Sequence, residues 1–229
     1  MLTLEGLDIV QDDFRLTADW SVPTGARVAI IGPSGGGKST LLSAISGFAE
    51  AQGKVLWNGA PLGDLAPGKR PIAMLFQDQN LFPHLTAAQN VGLALSQGRL
   101  TKAQGQRVGL ALSRVGLDGL ENRKPSQLSG GQQSRVALAR VLLQDRPLWL
   151  LDEPFAALGP GLRSEMLALV QQIAAEVGAT ILMVTHDPED ARRFADLVVV
   201  VDQGVALAPR DTEDLFANPD QALRDYLGH

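Results

Sequence analysis

The run Gly32-Pro33-Ser34-Gly35-Gly36-Gly37-Lys38-Ser39-Thr40 offers what a phosphate group needs: a backbone free to curl and a cation beside it. Its spacing is G-x-x-x-x-G-K-S, with an apolar run at 28–31 before it and a helix expected over 38–47 after it. Gly35, Gly36 and Gly37 reach backbone angles that other residues resist, so successive N–H groups can converge on one anion. The start of the helix adds partial positive charge. Lys38 is then expected on the β and γ phosphates of a nucleotide, and the Ser39 hydroxyl on Mg²⁺.

A second group of candidates stands at the ends of apolar runs. Residues 148–151 lead into Asp152-Glu153-Pro154. In a parallel sheet the carboxyl ends of strands face the ligand cleft. Asp152 suits a Mg²⁺ partner, directly or through water, and Glu153 a general base for the water that attacks a γ phosphate. Residues 181–185 deliver His186, either a solvent-facing loop residue or a hydrogen-bond partner of the γ phosphate and that water. Gln77 follows the run 72–76 and is either a plain surface amide or a further contact to Mg²⁺ and water.

The elements that must hold these groups alternate. Strands are expected at 2–4, 14–22, 28–31, 53–57 with an Asn58-Gly59 turn, 71–76, 148–151, 180–185 and 197–201. Helices are expected over 86–96 and 101–115, the first capped by Thr86, and over 129–144, opened by Ser129. Two more are expected over 162–177, closed by Gly178, and from about 187. That order predicts an α/β fold with a largely parallel sheet covered on both faces and interrupted by a helical block.

Composition narrows the chemistry. With 20 Lys and Arg against 25 Asp and Glu, the net charge of -5 disfavours a nucleic-acid partner held by a large basic surface. The absence of Cys excludes disulfides and thiol catalysis, and His84, His186 and His229 lack metal-ligand spacing, so a metal is expected on oxygen ligands. No apolar run approaches the roughly 18 residues of a membrane span. The N-terminus lacks the pattern of a secretory signal, and a cytosolic location is expected.

At Leu128-Ser129-Gly130-Gly131-Gln132 the chain resembles the signature motif of ABC-transporter ATPases. A Ser cap and two Gly at a helix start make a second anion site. The phosphate loop, Gln77, the signature, Asp152-Glu153 and His186 occur in that family's order. The resemblance implies a P-loop NTPase core of the RecA-like type, with antiparallel strands at the N-terminus and an inserted helical signature subdomain. It implies one ABC ATPase domain over 1–229, with 1–80 and 146–229 as ATP-binding core and 81–145 as helical subdomain.

It further implies a head-to-tail pair of copies sandwiching two ATP, with Ser129, Gly130, Gly131 and Gln132 of one copy on the γ phosphate held by the other. Catalytic roles fall on Glu153, His186 and Gln77, and Mg²⁺ on Ser39, Gln77 and Asp152. The partners implied are a separate integral membrane permease and, indirectly, a periplasmic solute-binding protein, with the chain on the cytoplasmic face of the inner membrane. The stretch 81–86 is similar to the family's groove for a coupling helix, where Phe82 and Leu85 either form an apolar socket or pack in the subdomain core.

The stretches 74–82 and 161–167, together with the short length, most resemble the ATPases of bacterial thiamine importers. The alternatives are an ATPase for another small solute, such as iron, polyamine or molybdate, or a soluble ABC ATPase outside transport.

Three features depart from the family pattern. Ala156-Ala157-Leu158-Gly159 stands where Ser-Ala-Leu-Asp is usual, so a carboxylate that helps link the two sites is missing. Phe14 is the nearby aromatic upstream of the phosphate loop, either stacking on adenine or packing in the core. Ser134 replaces a common Gln.

Overall fold

Two strands open the chain, β1 (Leu2–Gln11) and β2 (Phe14–Val22), paired antiparallel. β1 runs well past the expected 2–4 because a register shift between Leu4 and Leu7 lets it continue, with Gly6 at φ +54 inside the shift. β3 (Arg27–Ile31) leads through the glycine loop into α1 (Lys38–Ser46). β4 (Gln52–Trp57) and β5 (Ala60–Pro61) form a hairpin whose Asn58 and Gly59 both have positive φ, as the Asn-Gly pair predicts. β6 (Ile72–Leu75) closes this part of the chain. The computed structural model describes residues 1–78 and 80–228; Gln79, within the importer-like stretch 74–82, and His229 lie outside the described residues.

Three helices follow: α2 (Ala87–Gly92), α3 (Lys102–Arg114) and α4 (Gly130–Leu143). Thr86, Thr101 and Ser129 each close a reciprocal capping box with a Gln three residues on. α2 is shorter than the expected 86–96. Gly92 is its last residue, the chain continues to Ser96 in turns, and Leu100 sits where a side chain at Gly92 would be.

The chain then alternates: β7 (Leu148–Asp152), α5 (Pro160–Val177), β8 (Thr180–Val184), α6 (Pro188–Phe194) and β9 (Leu197–Asp202). The last elements are β10 (Val205–Ala206), β11 (Arg210–Asp211), α7 (Thr212–Ala217) and α8 (Gln221–Leu227). Asp211 and Asp220 cap the two final helices, neither of which is among the expected elements.

The strands form one sheet in the order β5-β4-β1-β2-β10-β9-β3-β8-β7-β6, with β11 beside β9. The stretch from β9 to β6 is parallel, and the N-terminal hairpins are antiparallel. Alternation along the central strands divides the interior in two. Val28 and Ile30 of β3 join a core with Leu41, Leu42 and Ile45 of α1, whereas Ala29 and Ile31 join the core that includes α4 and α5. Burying each of those three α1 side chains is worth about 1.5–3 kcal/mol, which locks the helix behind the glycine loop. Among the described residues no helix is long and apolar enough to cross a membrane.

Candidate functional site: a phosphate loop facing two strand ends

The loop between β3 and α1 curls as its glycines predict. Gly32, Gly35 and Gly37 have φ of +146, +77 and +94. A Cβ on Gly32 would stand 2.2 Å from the Val201 carbonyl oxygen, so only glycine passes β9 there. Gly37 is the left-handed N-cap of α1, whose first turn carries no acidic side chain. The positive end of α1 is therefore left for an outside anion.

Lys38 is buried, and its Nζ donates to the carbonyls of Gly32 at 2.9 Å and Pro33 at 2.8 Å. Burial pushes its proton affinity down, while the nearby Glu153 and Asp152 push it up. A cation tied to the loop's own carbonyls is already in place for a phosphate. The loop lines a cavity of about 430 Å³ with Ser34, Lys38 and Thr40, together with Glu153, with Gln11 at the end of β1 and with Asp12 in the turn after it.

Phe14 lines the same cavity and packs against the α1 core as well. Its ring lies over Gly37, where a Cβ would meet Cζ at 2.3 Å. Gln11 and Asp12 were missed in the sequence; the available signal was the polar Asp12-Asp13 pair between two apolar strands.

Ser39 Oγ donates to Asp152 Oδ1 at 2.9 Å, joining α1 to the end of β7. Burial raises the Asp152 carboxyl above its ordinary value, and the Ser39 bond opposes that rise. Glu153 takes φ +42, an uncommon conformation for a residue with a side chain, and its N–H donates to the Val184 carbonyl. That bend aims Glu153 Oε2 at His186 Nδ1, 3.0 Å away at the end of the neighbouring β8.

The turn after His186 is anchored heavily. The Asp187 N–H donates to Thr185 Oγ1 at 3.1 Å, Asp187 Oδ1 caps α6, and Arg163 of α5 donates to Asp187 Oδ2 at 2.9 Å. Tyr226 Oη donates to the His186 carbonyl at 2.7 Å. Neither Arg163 nor Tyr226 had a local sequence signal, because their partners lie 24 and 40 residues away.

The structure brings the glycine loop, Asp152, Glu153 and His186 together, and leaves the remaining candidates apart. Gln77 is exposed on the turn after β6 and is not among the cavity-lining residues. Ser129 to Gln132 start α4, where Ser129 Oγ accepts from the Gln132 N–H at 3.3 Å. They also lie off the cavity lining, and Gly131 packs where a Cβ would meet Leu162 at 2.4 Å. Phe82 is exposed and Leu85 half-buried, on a loop pinned by the fully buried Asn90, which bonds the Phe82 N–H and the carbonyls of Phe82, Leu85 and Thr86.

Among the described residues no three His, Cys, Asp or Glu gather about one point. A cation beside Ser39 and Asp152 would have few, hard oxygen ligands from protein and would take the rest from water and phosphate. That donor set fits Mg²⁺.

A glycine loop on the central parallel strand, with a carboxylate and a histidine at the ends of the next two, defines a nucleotide-hydrolysing cassette. The chain belongs to the ABC transporter family, whose model matches residues 17–156. Over its full length it is 61% identical to the Thiamine import ATP-binding protein ThiQ of Cereibacter sphaeroides, with 100% of both chains covered. The protein of the same name from Vibrio vulnificus is 47% identical, over 91% of this chain and 90% of its own. Among solved structures, the ATP-binding cassette MJ0796, dimeric in a post-hydrolysis state bound to ADP and Pi, superposes with a TM-score of 0.80 at 30% identity, covering 93% of this chain and 99% of its own. The cbiO1 protein of Clostridium perfringens, part of the ABC transporter complex cbiONQ, gives 0.81 at 29% identity, covering 95% and 90%.

Proposed function

We propose that this chain is the ATP-hydrolysing subunit of an ABC importer for thiamine or its phosphates. The observation that carries the reading is the 3.0 Å pair of Glu153 Oε2 and His186 Nδ1, with Glu153 on the wall of the cavity formed by the phosphate loop. The likeness to thiamine-import ATP-binding proteins over whole chains supports the substrate.

The loop N–H groups and Lys38 hold the β and γ phosphates of ATP, and the positive end of α1 stabilises their charge. Glu153 orients a water and accepts its proton as the water oxygen bonds to the γ phosphorus and the bond to ADP breaks. His186 hydrogen-bonds the γ phosphate and steadies Glu153. Ser39, Asp152 and Gln77 hold Mg²⁺, which neutralises phosphate charge when bound. Gln77 is exposed on the turn after β6, off the cavity lining.

Ser129, Gly130, Gly131 and Gln132 lie off the cavity lining of their own chain and serve the nucleotide of a second copy in a head-to-tail dimer. Residues 1–80 and 146–229 form the ATP-binding core of a single domain, and 81–145 its helical subdomain. The loop around Phe82 and Leu85 receives a helix of an integral membrane permease, which places the chain at the cytoplasmic face of the inner membrane. A periplasmic solute-binding protein delivers the substrate to that permease.

The test is phosphate release with Mg-ATP by the assembled transporter in vesicles. Stimulation by binding protein loaded with thiamine is expected; stimulation by an iron-, polyamine- or molybdate-loaded one instead would overturn the substrate, and no turnover at all would overturn the ATPase.

A further inference from the structure

The C-terminal helix reaches the reaction centre through one hydroxyl. Tyr226 of α8 donates from Oη to the main-chain carbonyl of His186 at 2.7 Å. The other polar end of the same peptide plane is the Asp187 N–H, which donates to Thr185 Oγ1 at 3.1 Å. A peptide plane held at both its oxygen and its nitrogen cannot rotate without breaking a bond, which fixes the His186 main chain and so the point and direction from which its side chain leaves towards Glu153. His186 is otherwise exposed, with no other side-chain bond among the described residues than the one to Glu153, so packing does little to orient it.

We propose that Tyr226 is a positioning residue for His186, fixing the imidazole against Glu153 by holding the His186 carbonyl. The proposal rests on the ATPase reading above. Tyr226 is only half-buried, but its ring packs against the core that includes α5, so the helix that carries it is tied to the body of the fold. Burial, with the charges of Asp187 and Glu153, raises its phenol above the ordinary value of 10.0, which keeps the hydroxyl a donor through the physiological range.

Tyr226→Phe removes the donor and keeps the ring. Gln221→Ala on the same helix loses its bond to Asp225 and keeps the phenol, so it reports on the helix alone. With ¹⁵N-histidine, the full chain shows three imidazoles, from His84, His186 and His229, assignable by single substitutions. Tyr226→Phe is expected to move the His186 imidazole signals and leave those of His84 in place. In the assembled transporter it is expected to lower kcat about two- to tenfold, the worth of one hydrogen bond, with KM for ATP unchanged. Gln221→Ala should change neither.

Unmoved His186 signals with wild-type kcat in Tyr226→Phe would overturn the proposal. Equal effects in Tyr226→Phe and Gln221→Ala would overturn it too, reducing Tyr226 to helix packing. A wild-type transporter that fails to hydrolyse ATP would sink the ATPase reading, whereas the imidazole signals, read without nucleotide, would still decide whether Tyr226 holds His186.

Discussion

Ser39 Oγ and Asp152 Oδ1 stand 2.9 Å apart, tying the first turn of α1 to the last residue of β7. Burial raises the Asp152 carboxyl above its ordinary 3.8. The folded chain therefore binds this proton more tightly than the unfolded chain, and part of its stability is lost as pH rises from the ordinary value through the raised one. Asp152→Asn keeps the shape and removes the charge. Without nucleotide it should be more stable than wild type at pH 7, with the difference shrinking towards pH 4, as thermal unfolding across that range will show. Its Mg-ATP hydrolysis should fall at least about 100-fold.

Glu153→Gln keeps the side-chain volume and a hydrogen bond to His186 while removing the base. Phosphate release should drop about 100- to 10,000-fold, and ATP should still bind, because Lys38 and the loop are untouched. Bound ATP that is not hydrolysed should hold the pair closed, so gel filtration with ATP should show a dimer that wild type does not accumulate. Wild-type turnover in this variant would remove Glu153 from the chemistry.

Much of this site was legible because its parts are local. The strands at 28–31, 148–151 and 181–184 are apolar at every position, as in a strand buried on both faces; the first runs into the glycine loop and the other two end abruptly in polar residues. The helix starts at Thr86, Thr101 and Ser129 were equally visible, since a cap and its Gln lie within one turn. What stayed hidden depends on chain folding back. Tyr226 meets His186 across 40 residues with no local pattern to mark it, and the β1–β2 turn, marked only by the polar Asp12-Asp13 pair, brings Gln11 and Asp12 to the cavity. Phe14 was framed as either a cavity aromatic or a core residue, and it lies at the boundary of both. Gln77 is singled out by its place after an apolar run and the signature by its Ser-Gly-Gly helix start, and one copy leaves both off the cavity wall.

Phe82 is 47% exposed, and its loop is held by four bonds from a buried Asn90 rather than by the packing of its own ring. Phe82→Asp should therefore change stability by no more than about 0.5 kcal/mol. A charge in an apolar socket should displace a permease helix. Substrate uptake by the reconstituted transporter is expected to collapse while ATP hydrolysis by the isolated chain continues. Unchanged uptake would move the permease contact elsewhere.

Gly159 caps α5 with φ -63 and ψ 158, no side-chain cap bond, and Pro160 in the first helical position. These angles suit any residue, and a Cβ there would meet nothing within 4 Å. Asp at an N-cap accepts from the second or third N–H of the helix and faces its positive end, worth a few tenths of a kcal/mol over Gly. Gly159→Asp should therefore raise the melting temperature by about 1 °C. It also restores the carboxylate usual in the family at this point. Arg163, one turn further on, already reaches the Ala156 carbonyl at 3.4 Å and Asp187 at 2.9 Å, so the 156–159 segment is tied to the His186 turn without it. ATP hydrolysis by the transporter should accordingly stay within about twofold of wild type, an interval smaller than one hydrogen bond usually commands. A large gain in turnover or in its cooperativity with ATP would mean that the Arg163 link does not substitute for the missing carboxylate.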